Sequence, residues 1–310
     1  MRVGRVQKYI LRKIEEDGAI LCALVDPDKQ PFEEGAKVAK AACEGGADVI
    51  LVGGSVGAQG MILDKTTKMI REYVDIPIVL FPGSVGTVTH HADAIYFMYV
   101  LNSRDVYWLS TAQIQGAPVV KRLGLEPIPT AYIVVEPGRA VGWISNANLV
   151  PRNKPDLAAA TALAGEYMGA KLVITDCGSG PPTPAPTTFI KTVKSVLTVP
   201  YFYAGGCRTP EQAQSIIKAG ADGIQIGTAI ENTKNYDKIV KRVKIMSVAL
   251  KEAGKEKIKT SARESIKAII PSVRMPKFGF FKRKWEVLKK IKRKKKSPVE
   301  KSKETEKKSS

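Results

Sequence analysis

Several short runs in this 310-residue chain combine residue types and spacings that suit a phosphorylated substrate. Residues 199–203 are apolar and aromatic and lead into Ala204-Gly205-Gly206, and residues 223–226 lead into Gly227-Thr228. Glycine at the end of a buried strand lets backbone N–H groups approach an anion with no Cβ in the way. Residues 171–175 lead into Asp176-Cys177-Gly178-Ser179-Gly180, a third candidate N–H loop with a carboxylate beside it. Asp26-Pro27-Asp28-Lys29 offers hard oxygens of the kind magnesium takes, although Asp-Pro-Asp is also a common turn. Ser55, after Gly53-Gly54, reads as a hydroxyl ligand, a phosphate contact or a turn serine. Tyr132, Val134 and Glu136 are spaced two apart, so an extended chain places them on one face. His90-His91 has no metal-like partner spacing and reads as structural.

The elements that must carry these residues alternate between two periods. Eight apolar runs, at 19–25, 48–52, 76–81, 94–100, 130–135, 171–175, 199–203 and 223–226, are separated mostly by amphipathic or alanine-rich helical stretches. Such alternation implies a parallel sheet, and eight units imply a closed (β/α)8 TIM barrel. Thr209 and Gln212 have capping-box spacing with Pro210 at the first helical position, so a helix starts there. Residues 84–90 are too short for a full crossover helix, which makes the third connection irregular. Gly116 and Pro118 should end or kink the helix that begins near Asp105, and a long loop should fill 136–152. The helix from Tyr236 should close the ring near Ala253. An open doubly wound sheet is disfavoured because no GxGxxG follows the first strand.

The hydrophobic fraction of 44% suits a globular chain, and no apolar run reaches the roughly 18–20 residues of a membrane span. The N-terminus lacks a signal-peptide pattern. Cys22, Cys43, Cys177 and Cys207 are far apart and form no CxxC, so neither a zinc site nor a disulfide framework is indicated, which fits a reducing cytoplasm. The net charge is +19. From Arg274 onward there are 16 Lys/Arg and 4 Glu, so this end carries +12 and the body +7. A catalytic barrel over 1–270 and a basic tail over 271–310 are therefore expected.

Taken in order, the Asp26–Lys29 run, Gly53-Gly54-Ser55, Tyr132 with its Val-Glu-Pro, the Asp176–Gly180 loop, Gly205-Gly206 and Gly227-Thr228 resemble the geranylgeranylglyceryl phosphate synthase family. Leu101-Asn102-Ser103-Arg104 and Gly142-Trp143 resemble its second group. The resemblance covers roughly residues 8–253. It implies a magnesium-dependent prenyltransferase that joins geranylgeranyl diphosphate to sn-glycerol 1-phosphate, and it implies a homo-oligomer. By position, Asp26 and Ser55 would bind Mg²⁺. Ile174, Thr175, Asp176, Cys177, Gly178, Ser179, Gly180, Gly205, Gly206, Gly227 and Thr228 would hold the glycerol phosphate. Tyr132 would sit by the reacting centre and Asp176 would accept the proton. The family usually has Glu at the place of Asp176 and Tyr-Leu at Ile174-Thr175, so the acid here is about 1.5 Å shorter in reach. The glycine loops alone also suit another phosphate-binding barrel isomerase or synthase.

In the tail, Phe281, Trp285, Leu288 and Ile291 fall on one helical stripe with Lys and Arg around it. That pattern fits an anionic membrane surface, which would make a cytoplasmic enzyme peripheral to the membrane. A solvated tail and a nucleic-acid contact are the competing readings of the lysine cluster, and nucleic acid is the least favoured partner for the barrel.

Overall fold

A computed structural model describes residues 3–231 and 235–269, with side chains to residue 260. The tail from 271 to 310, with its amphipathic stripe, lies outside the described residues. One compact unit spans Met1–Ser261, and the second unit, Ala262–Ser310, contributes only the end of a helix to what is described.

Eight parallel strands close into a barrel in sequence order. They are β1 (Ile20–Val25), β2 (Val49–Val52), β3 (Ile78–Leu80), β4 (Ala94–Val100), β5 (Glu126–Val134), β6 (Leu172–Asp176), β7 (Tyr201–Ala204) and β8 (Gly223–Ile226). The helices are α1 (Arg5–Asp17), α2 (Glu33–Glu44), α3 (Gly60–Tyr73), α4 (Ala112–Leu123), α5 (Arg139–Ile144), α6 (Pro155–Tyr167), α7 (Thr187–Ser195), α8 (Pro210–Lys218), α9 (Thr228–Glu231) and α10 (Tyr236–Ile269). Strand side chains alternate between two cores. Ile20, Cys22, Leu51, Tyr96, Tyr132, Ile174 and Phe202 fill the barrel. Leu21, Ala23, Ile50, Ile133, Val173, Tyr201 and Ile224 pack in the layer between strands and helices. Burial on both faces explains why the strands read as unbroken apolar runs.

The third connection, residues 81–93, carries no helix, as its length required. Four boundaries differ from the sequence expectation. β5 begins at Glu126 although Pro127 and Pro129 lie in it. Pairing with β6 starts only at Thr130↔Leu172, so both prolines face a side where no strand yet needs an N–H. A five-residue π-helical turn, Tyr107–Thr111, leads into α4, which runs on through Gly116 and Pro118 to a left-handed Gly124 cap. Pro118 is tolerated because the carbonyl it leaves free belongs to Ile114, which is exposed to water. Residues 136–152 contain the short helix α5 rather than loop alone. The last helix does not stop near Ala253, because Gly254 permits close approach to Gly18 beyond α1; a Cβ there would meet the Asp17 carbonyl.

Candidate active site at the mouth of the barrel

The strand C-termini surround an open cleft of about 1030 Å³. Its floor and walls include Leu24, Phe81, Val100, Tyr132, Asp176 and Gln225. Asp176 ends β6 with its carboxylate inside the barrel. Tyr132, one layer lower on β5, spans that layer and donates its hydroxyl to Asp176 Oδ2 at 2.5 Å. The Gly178 N–H donates to Oδ1 at 2.6 Å. Burial pushes the Asp176 carboxyl above the ordinary range, while the hydrogen bonds from Tyr132 and Gly178 pull it back partway. Burial drives Tyr132 far upward, and the Asp176 charge adds to this, so the phenol stays protonated and remains the donor. Phe81 packs edge-on against the Tyr132 ring, with centroids 5.7 Å apart. This gives a basic carboxylate that no ion pair neutralises among the described residues.

Three glycine loops meet over it. Gly205 and Gly206 have φ of +96° and +79°, the left-handed region that excludes most side chains. Their N–H groups find no acceptor among the described residues. Ser179 Oγ and Thr228 Oγ1 lie 3.1 Å apart and tie the β6 loop to the β8 loop. The capping box expected at α8 forms, with Gln212 N donating to Thr209 Oγ1 at 3.3 Å. It fixes the backbone just after Gly205-Gly206.

Asp26 stands behind this rim. It is buried, accepts the Asp28 N–H at 3.1 Å, and its Oδ2 lies 3.2 Å from Lys29 Nζ. Burial raises its carboxyl above the ordinary range, with the Lys29 cation opposing. Gly54 packs directly on the carboxylate where a Cβ would overlap it, and Ser55 follows on the exposed rim of the cleft. These oxygens fit magnesium, which takes one or two protein carboxylates and completes its shell with water and substrate phosphates. Lys29 also reaches Glu231 Oε2 at 3.4 Å, linking the β1 and β8 loops.

Asp176, Tyr132, Gly178, Ser179, Gly180, Gly205, Gly206, Gly227, Thr228 and Ser55 all line the one cleft. Of the other sequence candidates, Asp26 sits against Gly54 without lining the cleft, and three point elsewhere. Ile174 packs in the barrel core below the cleft. Thr175 faces outward and hydrogen-bonds Tyr201 Oη at 2.6 Å. Cys177 also faces outward, 3.3 Å from Tyr203 Oη. Cleft residues that the motifs did not reveal are Gln225, Arg208 and Glu231. Arg208 follows a glycine pair at a helix start, a signal present in the sequence; Glu231 carries none. His90 and His91 do gain a partner, Asp64 on α3, with ligand atoms within 4.8 Å. Thr89 already donates to Asp64 at 2.6 Å, and the Lys68 and Arg71 cations act on His91, a field that opposes a second cation.

A closed parallel barrel with glycine loops after its last three strands and a buried carboxylate at its mouth is the architecture of a phosphate-handling barrel enzyme. The comparisons with known proteins are narrower. The PcrB family model matches residues 12–246. A geranylgeranylglyceryl phosphate synthase from Pyrococcus horikoshii is 48% identical over 243 residues, 78% of this chain and 95% of that protein. One from Methanococcoides burtonii is 46% identical over 240 residues, 77% and 97% of the two chains. The crystal structure of (S)-3-O-geranylgeranylglyceryl phosphate synthase from Thermoplasma acidophilum, in complex with substrate sn-glycerol-1-phosphate, superposes with a TM-score of 0.77. It is 34% identical, with 80% of this chain and 99% of that one covered. The chain belongs to the PcrB family. Membership sets aside the isomerase and synthase alternatives that the glycine loops alone would allow.

Proposed function

We propose that this chain is a geranylgeranylglyceryl phosphate synthase that uses Asp176 as its base. The observation that carries the reading is one cleft in which a buried carboxylate with no ion-pair partner among the described residues faces three glycine loops, next to a second cleft lined mostly by apolar side chains. The glycine loops hold the phosphate of sn-glycerol 1-phosphate through backbone N–H groups and leave its far hydroxyl toward Asp176. That oxygen attacks the allylic carbon of geranylgeranyl diphosphate. The carbon–oxygen bond to diphosphate breaks, the bonding pair leaves with diphosphate, and the hydroxyl proton passes to Asp176. Tyr132 and Gly178 keep the carboxylate aimed throughout. Asp26 and Ser55 would hold Mg²⁺, which when bound supplies neutralisation of the leaving diphosphate.

The prenyl chain leaves through the gap where the third helix is missing. There a second cleft of about 470 Å³ shares Pro82, Met98 and Trp108 with the first and is lined by Val85, Ile95 and Phe97. Among the described residues no helix is long and apolar enough to cross a membrane, and the proposal gives membrane attachment to the basic tail. Four free cysteines support a cytoplasmic setting. The proposal keeps the homo-oligomer that the resemblance implied, which sedimentation would test.

Purified protein given labelled sn-glycerol 1-phosphate, geranylgeranyl diphosphate and Mg²⁺ should move label into an organic phase. EDTA should abolish the transfer. Label that stays aqueous with every prenyl diphosphate offered would contradict the proposal.

A further inference from the structure

Gln225 occupies β8 two residues before Gly227, on the inward face. Its register partners are Cys22 on β1 and Ala204 on β7, so it forms part of the floor beneath the glycine loops. It is 6% exposed and lines the cleft. Its Nε2 donates to Tyr96 Oη at 3.3 Å, and Cys22, its register partner on β1, is buried in the same barrel core as Tyr96. Phe81 fixes the Tyr96 ring edge-on at 5.7 Å. This chain of contacts sets which way the carboxamide faces, and it leaves Oε1 buried without a donor. The other described atoms in that condition are Gln30 Oε1, Gln113 Oε1, Arg152 Nε and Tyr236 Oη, and none of those residues lines the main cleft. Buried amide oxygens are costly to leave unpaired, so this one points to a ligand donor.

We propose that Gln225 is a specificity-determining residue whose side-chain carbonyl accepts a hydrogen bond from the secondary hydroxyl of the glycerol phosphate. The inference rests on the placement of that substrate at the three glycine loops. The substrate has three polar parts. Its phosphate goes to the loops and its primary hydroxyl to Asp176, which leaves the hydroxyl on the middle carbon. The cleft's other buried polar side chains are already engaged, Tyr132 with Asp176 and Ser145 with the Val141 carbonyl at 2.6 Å. Gln225 supplies the remaining acceptor in walls that are otherwise largely apolar.

The test compares sn-glycerol 1-phosphate with propane-1,3-diol monophosphate, which keeps the phosphate and the nucleophilic hydroxyl and lacks only the middle one. The unmodified protein should lose about 10- to 100-fold in kcat/KM on the analogue, mostly through KM. In Gln225→Met, and in Gln225→Leu as a second apolar variant, the two substrates should come within about two-fold of each other. KM for sn-glycerol 1-phosphate should rise. The apolar variants also lose the Nε2 hydrogen bond to Tyr96, a stability effect that thermal midpoints read separately from the loss of discrimination. Gln225→Glu keeps an acceptor and should restore part of the discrimination. An apolar variant that discriminates as strongly as the unmodified protein would overturn the assignment while leaving the reaction standing. Failure of the unmodified protein to prenylate either compound would overturn both.

Discussion

The two ends of this barrel use buried and half-buried aspartates in opposite ways. At the closed end, where the strands begin, each one is saturated. Asp48 takes the Leu21 N–H at 2.9 Å and Lys251 Nζ at 2.8 Å. Asp222 takes the Tyr201 N–H at 3.0 Å, Lys194 Nζ at 2.6 Å and Lys257 Nζ at 2.8 Å. Asp93 takes the Ile78 N–H at 2.9 Å and pairs with Arg71 and Arg5. All three follow an alanine at the entrance to a strand and satisfy a backbone donor on a neighbouring strand. They are staples. At the open end Asp176 has two neutral donors and no cation, and Asp26 shares a single exposed lysine with Glu231. The same residue type supports the fold at one end and stays reactive at the other because its partners differ, in keeping with the division of labour between the faces of such barrels.

Exchanging the two kinds of site should separate stability from rate. Asp176→Asn should lower prenyl transfer by about 10²- to 10⁴-fold while moving unfolding stability by no more than about 1 kcal/mol in a urea titration. Asp222→Ala should do the reverse, costing about 2–3 kcal/mol with kcat of the folded fraction unchanged. That figure discounts the value for a broken buried pair, since both lysines still reach water. Asp26→Asn should raise the Mg²⁺ concentration for half-maximal activity by about tenfold or more, and Ser55→Ala by less, read from magnesium titrations of the transfer rate. Gly205→Ala should cost about 1–3 kcal/mol and raise KM for the glycerol phosphate. Its added Cβ would lie 2.9 Å from Cys177 Cβ in a backbone at φ +96°.

Much of the mouth was legible because its signals are local. A strand followed by paired glycines needs no tertiary context, and neither does the Thr209–Gln212 cap. What escaped depends on register or on distance along the chain. Thr175 and Cys177 flank Asp176 at the end of β6, yet each faces outward because successive strand residues alternate, and only the frame of the whole strand tells which is which. Gln225 becomes part of the floor only once β8 is aligned with β1 and β7. Lys29 and Glu231 meet across 202 residues. The prolines of β5 masked its first turn of pairing because the sequence does not show where β6 begins.

The most direct test of Asp176 as proton acceptor is the pH profile of kcat/KM, measured for the unmodified protein and for Tyr132→Phe. The carboxylate must be ionised to work, and burial raises its pKa, so the acid limb should lie above the ordinary carboxylate range. The Tyr132 hydrogen bond favours the ionised form, so removing it should move that limb to still higher pH and lower the plateau. An acid limb at the ordinary carboxylate position, unmoved by Tyr132→Phe, would contradict the assignment.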